Sequence, residues 1–295
     1  MLSLEFLSDV LEQDRSAASA IVKEFEIDGH PFPFNRQPAI MGVVNLSTDS
    51  WYRESVCVSV DAAVERGRIL SAQGAAIIDV GAESTLGHAA RMDEASQTSR
   101  LLPVVRGLRA SGILVSVETY EQGVAQACLS AGANLLNLTG TERTDDMYRL
   151  VAEHDAAVII CYVQGKNVRD VGDFDLRADP TAMPYEYFGR ETERAARLGV
   201  KRIFIDPGLG FYYRNLQDSA QRVRHQMKVF LNTFRLRKLG WPTCHALPHA
   251  FEYFKDEVRC AEPFFAVLAA LGRTDLFRTH EVSRVKAVLE TMQIV

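Results

Sequence analysis

Short apolar runs alternate with helical segments along most of the chain. Eight runs have strand character because they are brief, rich in Val, Ile and Leu, and bounded by polar or turn residues. They cover residues 39–44, 76–80, 113–117, 134–137, 157–162, 202–205, 243–247 and 276–279. Between them, apolar residues at helical spacing predict helices, for example at 60–73, 122–131, 185–198 and 260–271. The pattern therefore predicts a repeated strand-helix unit.

This repetition predicts an α/β protein, specifically a (β/α)8 TIM barrel with an outer ring of helices. A doubly wound open sheet is the alternative, but it usually has fewer strands, and no Gly-x-Gly-x-x-Gly follows the first strand. We predict one barrel domain over residues 38–295.

Residues 1–37 form a predicted N-terminal extension. Residues 2–25 have the pattern of an amphipathic helix, and residues 25–34 that of a short hairpin turning at Asp28-Gly29. We expect the hairpin to close the floor of the barrel.

Composition limits the possible partners. The chain has 295 residues, 47% of them hydrophobic and 24% charged, with a formal net charge of −5 and no basic stripe, so we expect no nucleic-acid partner. Charges interrupt the apolar stretches before the roughly 20 residues that a membrane helix needs, which predicts no membrane span. The N-terminus is acidic where a signal peptide would be basic, and the five scattered cysteines form no Cys-x-x-Cys pair. We expect a cytoplasmic protein.

Polar side chains stand at the ends of the predicted strands. In chain order they are Asn45, Asp79 with Glu83, Glu118, Asn137, Tyr162 with Gln164, Asp206, His245, and Arg278 with His280. One such residue is usually a helix cap or a turn residue. A barrel brings all the strand ends to one face, which is where active sites of this fold lie. The recurrence therefore predicts a functional C-terminal face.

The predicted face has two chemical halves. Asp79, Glu118, Asn137 and Asp206 are mainly hydrogen-bond acceptors, and they suit a heterocycle that presents several N–H donors along one edge.

The other half is suited to an anion. Arg278 and His280 are alternate residues, so they face the same way and can donate to a phosphate or diphosphate. Asn45 lies between the halves, where its amide oxygen could bind Mg²⁺ directly or through water.

Six segments resemble, in the same order, the motifs of the pterin-binding barrel family, and most closely those of its dihydropteroate synthases. They are MGVVNLSTDSW at 41–51, IIDVGAEST at 77–85, VSVETY at 115–120, GANLLN at 132–137, IDPGLGF at 205–211 and RTHEV at 278–282. The segment at 77–85 is the most specific of them.

This resemblance implies a reaction that joins 7,8-dihydropterin-6-ylmethyl diphosphate to an arylamine such as 4-aminobenzoate, with Mg²⁺-assisted loss of pyrophosphate. It also implies a homodimer formed through the outer helices. The residues implied to bind the pterin substrate are Asp79, Thr85, Glu118, Asn137, Gln164 and Asp206. Asn45, Arg278 and His280 are the implied catalytic residues near the diphosphate, with Asn45 also the metal ligand.

Several family cations are replaced in this chain. After the seventh strand the family has Ser-Arg-Lys, and His249 and Ala250 stand at its arginine and lysine. Leu86 stands where an arginine is expected, and Tyr213 at a second lysine. Each lost charge-assisted contact is worth roughly 1.5–3 kcal/mol, so diphosphate binding would depend on substitutes. Loop candidates for that role are Arg53, His88, Arg91, Lys166, Arg169 and Arg214.

Other functions stay open at this point. One is a non-catalytic paralogue that binds a pterin or a partner protein through the altered rim. Another is a methylpterin:corrinoid methyltransferase, which does not need the missing lysine but would need a separate cobalamin-carrying partner. A metal hydrolase using His245 and His249 is a weaker alternative, because the first strand ends in Val44-Asn45 and not in His-x-His.

Overall fold

A computed structural model describes residues 2–47, 56–57, 59–83, 91–173, 179–209 and 213–294. The chain begins with helix α1 (Leu4–Gln13), a 3₁₀ segment (Arg15–Ser19) and the strands β1 (Phe25–Ile27) and β2 (His30–Phe32). No helix in these described ranges is both long and apolar enough to cross a membrane.

Eight further strands and nine helices alternate through the rest of the described chain. The strands are β3 (Ala39–Asn45), β4 (Ile77–Gly81), β5 (Leu114–Thr119), β6 (Leu135–Leu138), β7 (Ala157–Cys161), β8 (Arg202–Asp206), β9 (Cys244–Ala246) and β10 (Leu276–Thr279). The helices are α2 (Val60–Ala72), α3 (Glu94–Ala110), α4 (Gln122–Ser130), α5 (Thr144–Glu153), α6 (Ala182–Arg197), α7 (Ser219–Asn232), α8 (Phe251–Phe254), α9 (Ala261–Leu271) and α10 (Val282–Met292).

The eight strands form one parallel barrel. Strands β3 to β8 pair in chain order, β10 pairs with β3, and β9 pairs with β10. The seam between β8 and β9 closes through a parallel bridge of Ile205 and Thr243, where the Ile205 N–H donates to the Pro242 carbonyl at 3.0 Å. The predicted (β/α)8 barrel is confirmed, and every predicted strand coincides with an observed one.

The first predicted helix is shorter than expected. It ends at Gln13 because Asp14 leaves the helical conformation, with φ −155°, and its side chain caps the following 3₁₀ segment by accepting from the Ala17 N–H. The helix expected at 185–198 instead begins at Ala182, so that Pro184 lies in the first turn, where a missing N–H costs no helical hydrogen bond.

The short hairpin forms as predicted. Asp28 and Gly29 have φ of 50° and 75°, the left-handed values that a type I′ turn requires. Phe25 and Phe34 pack edge-on against Phe204, with ring centroids 5.3 and 5.5 Å apart. The hairpin thus covers the N-terminal end of the barrel interior.

A buried arginine fastens the N-terminal extension to the barrel. Arg237, 1% exposed, pairs with Asp275 and also donates to the Ala20 carbonyl at 3.2 Å and to Asn35 Oδ1 at 3.0 Å. Asn35 in turn bonds both backbone groups of Val22, at 2.9 and 2.8 Å. Residues on both sides of the predicted boundary therefore share one polar network, and the division at residue 38 stays a prediction.

Strand alternation decides which residues reach the barrel interior. Leu114 packs with the interior cluster, whereas Val115 and Val117 pack with the cluster under the outer helices. Because successive strand residues point to opposite faces, Ser116 and Glu118 follow Leu114 inward. The strands thus begin with apolar interior residues and end with polar ones at the C-terminal face.

Candidate functional site

Polar side chains from five strands converge at the C-terminal end of the barrel. They are Asp79 on β4, Ser116 and Glu118 on β5, Asn137 on β6, Asp206 on β8 and Arg278 on β10, and we call them the central cluster. Except for Ser116, all are residues that the strand-end pattern predicted.

Asp79 is the hub of this cluster and is fully buried. Its Oδ1 accepts from Ser116 Oγ at 2.5 Å, while its Oδ2 accepts from Asn137 Nδ2 at 3.2 Å and from Arg278 Nε at 2.7 Å. Three donors therefore hold the carboxylate in one orientation. Sequence reasoning missed Ser116, although its position two residues before Glu118 on the same strand places it on the interior face.

Arg278 joins the two predicted halves of the face. Its Nη2 donates to Glu118 Oε2 while its Nε donates to Asp79, so the guanidinium lies between two carboxylates. Burial acts to lower the pKa of Arg278, but Glu118 and Asp79 outweigh it and raise that pKa above its ordinary value. The described contacts of Arg278 are thus with the half predicted to bind the heterocycle.

Two carboxyl groups of the cluster hold their protons more tightly than usual. Burial raises the pKa of Glu118 from 4.5 to about 7, against the opposing effect of Arg278 and with the negative charges of Asp79 and Asp206 adding to it. Burial also raises the pKa of Asp206 to about 6, although its Oδ1 accepts the Gly208 N–H at 2.8 Å. Both carboxyl groups therefore ionise at a higher pH than an exposed Asp or Glu does.

Asn45 and His280 meet at the rim of the barrel. Asn45 Nδ2 lies 3.3 Å from His280 Nε2, and His280 Nδ1 lies 2.7 Å from Glu262 Oε1. His249 Nε2 lies 3.1 Å from the same glutamate oxygen. Sequence reasoning missed Glu262, whose one signal is a carboxylate in the first turn of an otherwise apolar helix, AEPFFAVLAAL.

Electrostatics couples these rim residues. Burial acts to raise the pKa of Glu262, but His280 and His249 beside it lower that pKa well below its ordinary value. Burial lowers the pKa of His280, partly offset by Glu262. A buried carboxylate is thus kept ionised by two imidazoles.

Gln164 and Thr85 are the remaining residues predicted to bind the substrate. Gln164 follows β7, where its Nε2 donates to Tyr162 Oη at 2.7 Å and its backbone N–H donates to Tyr213 Oη at 3.1 Å. Thr85 lies outside the described residues.

Arg169, one of the loop cations considered as substitutes for the missing family cations, belongs to a buried network between two loops. Arg169 is 2% exposed, and its Nη1 lies 2.6 Å from Glu83 Oε1. The other oxygen of Glu83 accepts from Tyr120 Oη at 2.6 Å. Arg169 therefore ties the loop after β7 to the loop after β4.

The other substitute cations have different positions. Lys166 is exposed and lies 3.6 Å from Glu142, and Arg91 is exposed. Arg53, His88 and the side chain of Arg214 lie outside the described residues.

His245 does not join His249 as the hydrolase alternative requires. It is fully buried, its Nε2 lies 2.7 Å from Thr233 Oγ1, and its ring packs on Phe230 of α7. Burial lowers its pKa to about 3. His245 follows the interior residue Cys244 on β9, so it faces the outer helices.

Comparison with known proteins agrees with this fold. The Xanthomonas albilineans dihydropteroate synthase solved with 4-aminobenzoic acid has a TM-score of 0.76 at 24% identity, covering 92% of this chain and 98% of that one. A Yersinia pestis dihydropteroate synthase solved with a sulfonamide drug complex has a TM-score of 0.78 at 21% identity, covering 92% of this chain and all of that one. Fold and central cluster together define a parallel (β/α)8 barrel with buried polar side chains at its C-terminal end.

Sequence similarity identifies the family. The family model described as pterin binding enzyme matches residues 41–246. Dihydropteroate synthase of Streptococcus pyogenes serotype M6 is 31% identical over 215 residues, which are 72% of this chain and 75% of that protein. The chain belongs to the pterin-binding enzyme family, with dihydropteroate synthases among its relatives, and the resemblance found in its motifs is confirmed.

One relative is much longer than this chain. The folate synthesis bifunctional protein of Arabidopsis thaliana is 32% identical over 240 residues, covering 78% of this chain but 48% of that protein. The chain therefore spans about half the length of that relative.

Proposed function

We propose that this protein joins a 7,8-dihydropterin-6-ylmethyl diphosphate to an arylamine such as 4-aminobenzoate and releases pyrophosphate. The observation that carries the proposal is the central cluster, which presents buried carboxylates and an amide at the C-terminal end of a barrel of the pterin-binding family. The names of the relatives, dihydropteroate synthases, support the same reaction.

The pterin is assigned to the interior half of the site. Asp206 and Asn137, together with Asp79 and Glu118, offer oxygens to the N–H groups along one edge of the ring, and we assign Gln164 and Thr85 to the loops around it. A carboxylate can accept two parallel N–H bonds from an amidine-like edge. Because Ser116, Asn137 and Arg278 already orient Asp79, the acceptors need little rearrangement on binding.

The diphosphate is assigned to the rim, where Asn45 and His280 meet. The positive charge of Arg278, which lies between the two halves of the site, attracts the diphosphate as well. The amide oxygen of Asn45 fits Mg²⁺, which prefers hard oxygen ligands, keeps several waters and commonly binds substrate phosphates with few protein ligands. Mg²⁺ bound there would neutralise charge that develops on the leaving diphosphate.

The reaction breaks the bond between the pterin methylene carbon and a diphosphate oxygen, and it forms a bond from the arylamine nitrogen to that carbon. The amine then gives up one proton. The protein's contribution is to hold the carbon and the amine close together, which replaces a bimolecular encounter, and to stabilise the departing charge.

We expect the altered rim to bind the diphosphate less tightly than a rim that carries the family lysine. Ala250 stands at that position, buried and in a left-handed conformation with φ 44°. Arg169, the buried substitute, pairs with Glu83. We therefore expect a higher Michaelis constant for the diphosphate ester in this protein, and turnover that depends strongly on Mg²⁺.

The test is calorimetric titration with the pterin diphosphate and Mg²⁺, followed by a turnover assay with 4-aminobenzoate on the same sample. Binding with turnover supports the proposal. Binding without turnover would favour the non-catalytic paralogue, and the absence of binding would overturn the pterin assignment. Methyl transfer from a methylpterin to an added corrinoid protein would favour the methyltransferase alternative.

We also propose a homodimer formed through the outer helices and a cytoplasmic location. Light scattering of the purified chain tests the first, and a mass near 32.9 kDa, that of a single chain, would contradict it. Fractionation of expressing cells tests the second.

A further inference from the structure

Three side chains with metal-binding atoms converge beside the central cluster. His249, Glu262 and His280 each offer one ligand atom, and these three atoms all lie within 4.8 Å of one another. Glu262 is 1% exposed, and the two imidazoles are largely buried. Together these residues supply two imidazole nitrogens and one carboxylate oxygen.

Three separate elements bring these ligands together. His249 follows β9, Glu262 lies in the first turn of α9, and His280 follows β10. Glu262 Oε1 is the shared atom, 2.7 Å from His280 Nδ1 and 3.1 Å from His249 Nε2. The fold therefore brings the ligands together from three separate parts of the chain, with Glu262 held in a helix and each histidine in the segment just after a barrel strand.

The second oxygen of the glutamate is held by its own donors. Glu262 Oε2 accepts the N–H of His280 at 2.9 Å and the N–H of Glu281 at 3.1 Å, and also the hydroxyl of Thr279. These bonds fix the orientation of the carboxylate, so that Oε1 faces the two imidazoles. Supporting hydrogen bonds of this kind are what metal-binding carboxylates normally have.

We propose that His249, Glu262 and His280 bind a divalent transition metal ion of the zinc type. Two histidines and one glutamate are a known ligand set for zinc with an open position, and imidazole selects zinc-like ions over Mg²⁺. This site is separate in chemistry from the oxygen ligand that Asn45 would offer to Mg²⁺.

Two of the three distances between ligand atoms are close to those of a loaded site, and the third, between the two histidines, is at most 4.8 Å. Tetrahedral zinc with bonds of about 2.1 Å separates its ligand atoms by roughly 3.4 Å. The two imidazole-to-carboxylate distances are 2.7 and 3.1 Å, so the ligands need to open by roughly 0.3–0.7 Å. Side-chain rotation of the two histidines supplies shifts of that size.

An ion with three protein ligands keeps a position for water or another oxygen ligand. If the proposed function holds, that position faces the rim assigned to the diphosphate, because His280 also contacts Asn45. Metal binding itself does not require any pterin, so its test is independent of the proposed reaction.

The experiment is a titration of the chelator-treated full chain with Co²⁺, followed by displacement with Zn²⁺. Visible absorption reports Co²⁺ bound to nitrogen and oxygen ligands. We expect one equivalent to bind, and we expect Glu262→Gln and His249→Ala each to weaken binding by about 100-fold or more, beyond the 10–100-fold effect of losing an outer-shell partner. His154→Gln, which changes an exposed histidine elsewhere, should leave binding unchanged.

Failure to bind one equivalent of Co²⁺ at micromolar concentrations would overturn the proposal and leave a hydrogen-bonded His-Glu-His group. Unchanged binding in the variants would overturn it as well. If Glu262→Gln fails to fold, as thermal unfolding would reveal, His249→Ala decides the matter, because the His249 side chain is 14% exposed and lies on the rim.

Discussion

Glu118 should make the stability of this protein depend on pH in a direction unusual for a glutamate. Its pKa rises from 4.5 to about 7 on folding because the side chain is buried near Asp79 and Asp206. Between these two pH values the folded state binds more protons than the unfolded state. Stability from this group is therefore complete below pH 4.5 and is lost as the pH rises through about 7.

The magnitude follows from the size of the shift. Each unit of pKa corresponds to about 1.4 kcal/mol, so the contribution of Glu118 should change by about 3 kcal/mol across this window. Glu118→Gln keeps the shape of the side chain and an oxygen that can accept from Arg278, but it cannot titrate. Relative to the wild type, the variant should gain about 3 kcal/mol of stability as the pH rises from 4.5 to 7.

Urea unfolding of both proteins at several pH values between 4.5 and 8 measures this difference. Glu186→Gln, at an exposed glutamate on α6, is the matched control and should show no comparable trend. A difference between Glu118→Gln and wild type that stays constant over the whole range would refute the reasoning. It would mean that Arg278 keeps Glu118 ionised in spite of burial.

Three further predictions concern the site. Asp206→Asn and Asn137→Ala should each abolish pterin binding in calorimetry while circular dichroism stays unchanged, and unaltered affinity in both would exclude our assignment of the pterin. His280→Ala should weaken the pterin diphosphate much more than the bare pterin, and equal losses would count against its role at the diphosphate. Ser116→Ala removes a donor from buried Asp79 and should cost about 1–3 kcal/mol in chemical unfolding; a loss below 0.5 kcal/mol, the scale of an ordinary surface substitution, would show that water replaces the hydroxyl.

Much of the fold was predictable because the barrel strands carry a consistent signal. Leu114 and Leu276 are apolar at the start of their strands, and Glu118 and Arg278 are polar at the end, so period-two alternation assigns both to the interior. The hairpin turn was equally predictable, since the pair Asp28-Gly29 is suited to left-handed φ values.

Contacts between distant elements were not predictable in the same way. Glu262 lies in an apolar helix, and its role appears only when α9 packs beside the end of β10. The pairing of Arg278 with both Asp79 and Glu118 depends on the diameter of the barrel and not on strand alternation. Arg169 likewise reaches Glu83 through loop geometry that no local pattern specifies.

The N-terminal extension has a consequence for how the protein is made. Phe25 and Phe34 need Phe204, while Ala20 and Asn35 need Arg237, which itself needs Asp275. Contacts so distant in sequence form late, because a long intervening chain must close first. This segment leaves the ribosome well before its partners do, so its apolar side chains stay exposed until synthesis has passed Asp275.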